Sequence, residues 1–285
     1  MADHPPQSVS GTAENDTATI TKAAADTATP APAPTDVAVP ARDGRGLQIA
    51  IVLYPGMTAL DAIGPYEALR LVPGSEIRLV SNEVGPIITD SGVLALGATH
   101  TFAETPTPDV VLVPGSATDT PTAMANKELT GWLAAVHPHT KWTTSVCSGA
   151  LILAAAGILP GHPATTHWFA QKPMALLGVE SRPTERIVRS GKILTAAGVS
   201  AGIDAALWLI GEIYGTERAE IIQLLIEYDP QPPYDAGHPS KASAKVMGKA
   251  VAEMTRDSAN VRSTVAIGTV AWQLALTKIR GRKRH

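Results

Sequence analysis

The sequence predicts an α/β protein, an open, mostly parallel sheet with helices on both faces and one cysteine mounted on a nucleophile elbow. Three observations carry that expectation. Leu47 to Tyr54 (LQIAIVLY) and Asp109 to Val113 (DVVLV) are nearly continuous apolar runs, the pattern of strands buried on both faces of a parallel sheet. Runs of this kind alternate with segments of helical length. Finally, Asp61, Gly115-Ser116 and Cys147 each lie just past a predicted strand. Ligands bind outside the carboxyl ends of the strands in such sheets, so three segments converge on one rim.

Taken in order, residues 1–46 are rich in Ala, Thr, Pro and Asp and nearly free of large apolar side chains, which predicts a disordered segment. The α/β domain is expected over 47–240. Pro55-Gly56 ends the first strand, and Thr58-Ala59-Leu60-Asp61 opens a helix with a capping-box pattern. Gly64-Pro65 is expected to interrupt that helix one turn later. Ile77 to Val80 reads as a second strand and Val93 to Leu96 as part of a side hairpin. Asp109 to Val113 is the next buried strand, ended by Pro114-Gly115-Ser116. A helix over Lys127 to Val136 leads to the strand Lys141 to Val146, which runs into Cys147 and the apolar helical stretch Leu151 to Ala156. Arg186 to Val188 and Lys192 to Ala196 flank Ser190-Gly191 and read as a hairpin. Helices follow over Gly198 to Tyr214 and Glu217 to Glu227, the latter ended near Asp229-Pro230. Residues 241–285 are expected to be a helical C-terminal extension, with an apolar patch from Val265 to Leu276 and a basic tail, Arg280 to Arg284.

Composition narrows the function classes. With 285 residues and a formal charge of −3, the chain has ample length for a core and no overall nucleic-acid footprint. A single cysteine rules out an internal disulfide framework and fits a reducing compartment. The N-terminal segment has no apolar h-region, and no stretch approaches the roughly 18 apolar residues of a membrane span. A soluble, cytoplasmic protein without membrane or nucleic-acid partners is expected.

Cys147 sits where a strand end meets a helix start, a sharp turn that exposes a nucleophile and places helix N–H groups beneath it, favouring thiolate. A buried structural cysteine is the competing reading. Asp61 is the candidate for tuning Cys147, because a carboxyl beside a thiolate has its pKa raised and becomes a proton donor near neutrality. Capping is the alternative for Asp61, and Glu67 is second choice for the same task. Backbone N–H groups of Ser116 and Ser148 are candidate donors to developing negative charge, with Gly115 shaping the loop and the Ser148 hydroxyl facing substrate or water. His167 is the histidine best placed to approach the rim. His137-Pro138-His139 has metal-like alternation without an accompanying cluster, so no metal site is assigned.

At these residues the sequence resembles the ThiJ/PfpI superfamily of flavodoxin-like cysteine proteins. The matching pieces are Leu60-Asp61-x-x-Gly64-Pro65-x-Glu67, Val113 to Ser116, Ser145 to Ala150 and Ala164 to Trp168. Glu227 to Gly237 resembles a segment typical of the isonitrile hydratase branch. Departures from that branch are Ser148, where threonine is common, and Gly115-Ser116, where Gly-Gly is common. The resemblance implies a flavodoxin-like fold and hydration of an isonitrile to an N-substituted formamide, without metal or organic cofactor. It also implies a homodimer acting on a small-molecule substrate, with Cys147 as nucleophile and Asp61 as proton donor. Three alternatives stay open: a sensor domain of a transcription regulator lacking its DNA-binding module, a glyoxalase- or deglycase-like activity on reactive carbonyls, and a glutaminase. The last is disfavoured because His167-Trp168-Phe169 lacks a His-x-Glu pair.

Overall fold

The computed structural model describes residues 46–258. The expectations for residues 1–45, the patch 265–276 and the basic tail 280–284 therefore lie outside the described residues. In chain order the elements are β1 (Gln48–Val52), α1 (Ala59–Leu69), β2 (Glu76–Ser81), β3 (Gly85–Ile88), β4 (Ala95–Ala98), β5 (His100–Thr101) and β6 (Val110–Val113). Next come α2 (Thr120–Ala125), α3 (Lys127–Val136), β7 (Trp142–Val146), α4 (Gly149–Ala155), β8 (Pro163–Ala164), α5 (Gln171–Leu176) and β9 (Glu180–Ser181). The chain continues with β10 (Ile187–Ser190), β11 (Ile193–Ala196), α6 (Ala201–Tyr214), α7 (Thr216–Leu225) and α8 (Ala244–Ser258).

Seven strands form one sheet in the order β10-β11-β7-β6-β1-β2-β5, parallel throughout except for the β10–β11 hairpin. β3 and β4 make a separate antiparallel hairpin, and β8 pairs with β9. The central strands are buried on both faces: every residue of the apolar β6 and of β7 is buried, as are the last four of β1. β7 buries Thr143 and Thr144 by giving them partners: Thr144 Oγ1 donates to the Val111 carbonyl at 2.9 Å, and Thr143 Oγ1 pairs with His137 Nδ1 at 2.8 Å. The latter contact absorbs His137, and among the described residues no group of three or more His, Cys, Asp or Glu side chains is placed to hold a metal.

The helices flank the sheet in two groups. α1 packs on α6, which carries α7, while α2, α3, α4 and α5 pack in succession. Gly64-Pro65 does not interrupt α1, contrary to expectation: the helix runs through Pro65 to Leu69. Its place is explained by packing. A Cβ on Gly202 would lie 3.0 Å from Pro65 Cγ, and one on Gly64 would lie 3.1 Å from Ile203 Cγ1, so α1 and α6 cross at glycine distance. That contact outweighs the hydrogen bond to the Asp61 carbonyl that Pro65 cannot make. Among the described residues no helix is long and apolar enough to cross a membrane.

Chain direction sets the position of the rim. From β1 the chain goes outward through β2 and β5, then crosses to β6, β7 and β11 on the other side. The strand order thus reverses between β1 and β6, and the loops after β1, β6 and β7 open beside that switch point.

Candidate active site

The loops after β6 and β7 carry Gly115-Ser116 and Cys147, and the loop after β1 leads into the first turn of α1, which carries Asp61. Cys147 has φ of 57°, one of two non-glycine residues with positive φ among those described. A left-handed non-glycine residue costs on the order of 1 kcal/mol, and the surroundings hold this one in place. Its N–H donates to the Ala196 carbonyl at 3.2 Å, and its carbonyl accepts from Thr166 Oγ1 at 2.7 Å. The residue is 6% exposed and lines a cavity of about 600 Å³ with mostly apolar walls.

The loop after β6 presses directly on the elbow. A Cβ on Gly115 would sit 2.5 Å from both N and Oγ of Ser148 and 3.0 Å from Cys147 Cβ, so only glycine fits. α1 grips the same glycine from the other side. Gly115 N–H donates to Asp61 Oδ2 at 2.8 Å, and its carbonyl accepts from Thr58 N–H at 2.9 Å. The expected capping box is therefore not made. Thr58 provides no side-chain cap; its hydroxyl donates to Asp90 Oδ2 at 2.5 Å, while the Asp61 carboxyl is spent on Gly115.

Asp61 is 0% exposed and beside the thiol. Burial raises its pKa to about 7, against the lowering effect of the Gly115 N–H and of Cys147. Oδ1 has no well-directed hydrogen bond of its own, although the thiol and this carboxyl perturb one another. Burial, then the charge of Asp61, pushes the Cys147 thiol up, against the Ser148 N–H and hydroxyl, which favour the thiolate. The expectation that the helix start makes Cys147 a thiolate is thereby corrected: desolvation outweighs it. Two acids this close do not both ionise near neutral pH: the thiol keeps its proton there, and Asp61 takes the charge as pH rises past about 7, after which the pair has one proton to share.

Ser148 lies in a network that fixes its hydroxyl. Its Oγ accepts from Ser116 N–H at 3.0 Å, donates to the Ser116 carbonyl at 3.0 Å and lies 2.7 Å from Thr120 Oγ1. The Ser116 N–H is thus already engaged, and it does not point a free donor at substrate as the sequence led us to expect. The Ser116 hydroxyl turns away as well, donating to the Gly56 carbonyl at 2.5 Å and accepting from Asp119 N–H at 2.7 Å. Ser148 N–H remains the backbone donor facing the sulfur.

His167 lines the same cavity. Burial lowers its pKa, and Nδ1 accepts from Phe169 N–H at 3.4 Å, which leaves a neutral ring with its proton on Nε2. Glu67 is not at the site. It is on the exposed face of α1, paired with Arg70 at 2.6 Å. Six residues are about one and two-thirds turns, so Glu67 and Asp61 point in different directions. Two site residues escaped sequence reasoning. Tyr54, at the end of the first apolar run, is buried with its hydroxyl donating to the Pro114 carbonyl at 3.0 Å, and burial together with Asp61 and Cys147 raises its pKa well above normal. Thr120, at the start of α2, braces Ser148.

The DJ-1/PfpI family model matches residues 47–212. The chain is 38% identical over 204 residues to the isonitrile hydratase of Pseudomonas putida, covering 72% of this chain and 88% of that protein. Its structure resembles that of a ThiJ/PfpI family protein from Pseudomonas syringae, with TM-score 0.70 and 36% identity over 81% of this chain and 98% of the other. It shares the fold of Drosophila melanogaster DJ-1beta, with TM-score 0.59 and 17% identity over 64% of this chain and 97% of that one.

Proposed function

The chain belongs to the DJ-1/PfpI family, and from that premise we propose that it is a cysteine-dependent isonitrile hydratase. The observation that carries this reading is the buried Asp61–Cys147 pair, whose cysteine lines an apolar cavity with the carboxyl behind it, supported by 38% identity to an isonitrile hydratase. An isonitrile has an electrophilic carbon and a compact, linear head. It needs a soft nucleophile and one acid that gives a proton and takes it back.

With the shared proton on Asp61, the Cys147 sulfur attacks the isonitrile carbon. The S–C bond forms while Asp61 protonates that same carbon, giving a thioimidate and a carboxylate. The carboxylate then takes a proton from water as its oxygen adds to the carbon, and delivers that proton to the substrate nitrogen. Collapse of the adduct breaks the C–S bond, returns the hydroxyl proton to Asp61 and releases the N-substituted formamide. Ser148 N–H and hydroxyl stabilise the sulfur whenever it is anionic. Ser148 has one hydroxyl proton, which the Ser116 carbonyl accepts at 3.0 Å and which must turn from that carbonyl to reach the sulfur, while the Ser116 N–H and Thr120 hold the oxygen in place. A serine therefore does the task of the more common threonine, with Thr120 supplying the stiffness that a β-branched side chain would have had. His167 Nε2–H is a neutral donor for the substrate or its attacking water. The reading needs no metal or organic cofactor, and its setting is a cytoplasmic homodimer.

Incubation with cyclohexyl isocyanide, followed by NMR, should show N-cyclohexylformamide, and Cys147→Ala should abolish it. Consumption of methylglyoxal without isonitrile turnover would replace this reading with chemistry on reactive carbonyls.

A further inference from the structure

α8 lies beyond residues 47–212, the part of the chain that the family model matches. It nevertheless contributes to the reaction cavity. Of its described side chains only Met247, Ala250 and Met254 are partly buried; the rest are exposed. The spacing of three and then four residues puts these on one helical stripe, the pattern of a helix laid against a body. Among the described residues Met254, within that stripe, is the one from α8 in the cavity wall, which it shares with Cys147, Leu151, Phe169 and Leu177.

A cavity of about 600 Å³ far exceeds what an isonitrile head requires, so most of it receives whatever the nitrogen carries. We propose that α8 roofs this chamber and that Met254 sets the size of the substituent it admits. Methionine suits the position, because its unbranched side chain yields to different shapes while still excluding water. That the occupant is an isonitrile substituent rests on the function proposed above; that α8 limits access to Cys147 does not.

The test therefore has two arms, run on the full chain and on Met254→Ala and Met254→Trp. Cys147 is the only cysteine, so maleimide addition, in which sulfur bonds one ring carbon and the thiol proton passes to the other, reports this site alone. The rate with N-(1-pyrenyl)maleimide is divided by the rate with N-ethylmaleimide. Met254→Ala should raise this ratio about tenfold and Met254→Trp should lower it about tenfold, the scale on which apolar pockets discriminate by size. The second arm compares kcat/KM for naphthyl and ethyl isocyanide, with the same ordering expected. A maleimide ratio equal in all three proteins overturns the roof, whatever the second arm shows. A ratio that moves as expected while no isonitrile is hydrated upholds the roof and removes the function.

Discussion

At the scale of single residues the site stores instability in two places. Asp61 has a folded-state pKa of about 7 against its ordinary 3.8. The folded chain thus holds a proton that the unfolded chain has released, and stability falls as pH rises from about 4 toward 7. Asp61→Asn keeps an acceptor for the Gly115 N–H and removes the buried charge. Urea titrations should find it more stable than the parent by on the order of 1–3 kcal/mol at pH 8, with the gap closing near pH 4. A gap that is the same at both pH values would show that the carboxyl is not charged where we place it. The second place is the backbone at Cys147, with φ of 57°. Cys147→Gly and Cys147→Ala both delete the sulfur, but only glycine is at ease there. The glycine variant should unfold at higher urea, by about 1 kcal/mol. Alanine proving equal or better would mean that the elbow is unstrained.

At the scale of elements, three strand ends position the chemistry, and they were the most legible feature of the chain. Buried parallel strands write themselves as apolar runs, so the ends of Gln48–Val52 and Val110–Val113 are visible in the sequence, and Trp142–Val146 shows by its β-branched residues, along with the small residues that follow each. What the runs do not encode is which way a loop or helix turns once past the strand. Glu67 looked like a second choice to Asp61 because motif spacing ignores helical phase, yet it faces solvent with Arg70. Pro65 looked like a break because its contact with Gly202 is made across more than a hundred residues of chain. Ser116 N–H looked free because its acceptor, the Ser148 hydroxyl, reaches it only after β6 and β7 pair. Tyr54 was hidden in an apolar run, although a phenol buried at a strand end needs a partner and in that sense advertised one. A paired measurement separates the two faces of α1 and its neighbour. Gly115→Ala forces a Cβ to within 2.5 Å of Ser148 N, and should cost about 1–3 kcal/mol and roughly 100-fold in kcat/KM. Glu67→Gln should stay within about 0.5 kcal/mol and twofold. Loss of activity in Glu67→Gln comparable to that in Gly115→Ala would return Glu67 to the site.

At the scale of the whole molecule, a family fold has been given a particular cavity. The sheet and its switch point are those of the DJ-1/PfpI family, and the α/β class followed from strand burial and strand–helix alternation alone. The cavity was not legible, since its walls come from α2, α4, α5, the residues around His167 and finally α8, segments with no common sequence signature. The function proposed for this molecule rests on a covalent bond between Cys147 and the isonitrile carbon. The most direct measurement is mass spectrometry of the Cys147 peptide from enzyme quenched with acid during turnover of cyclohexyl isocyanide. The account predicts a peptide heavier by one whole isonitrile molecule, the thioimidate, which disappears as formamide accumulates. An unmodified Cys147 peptide, with formamide still formed by Cys147→Ala, would contradict it.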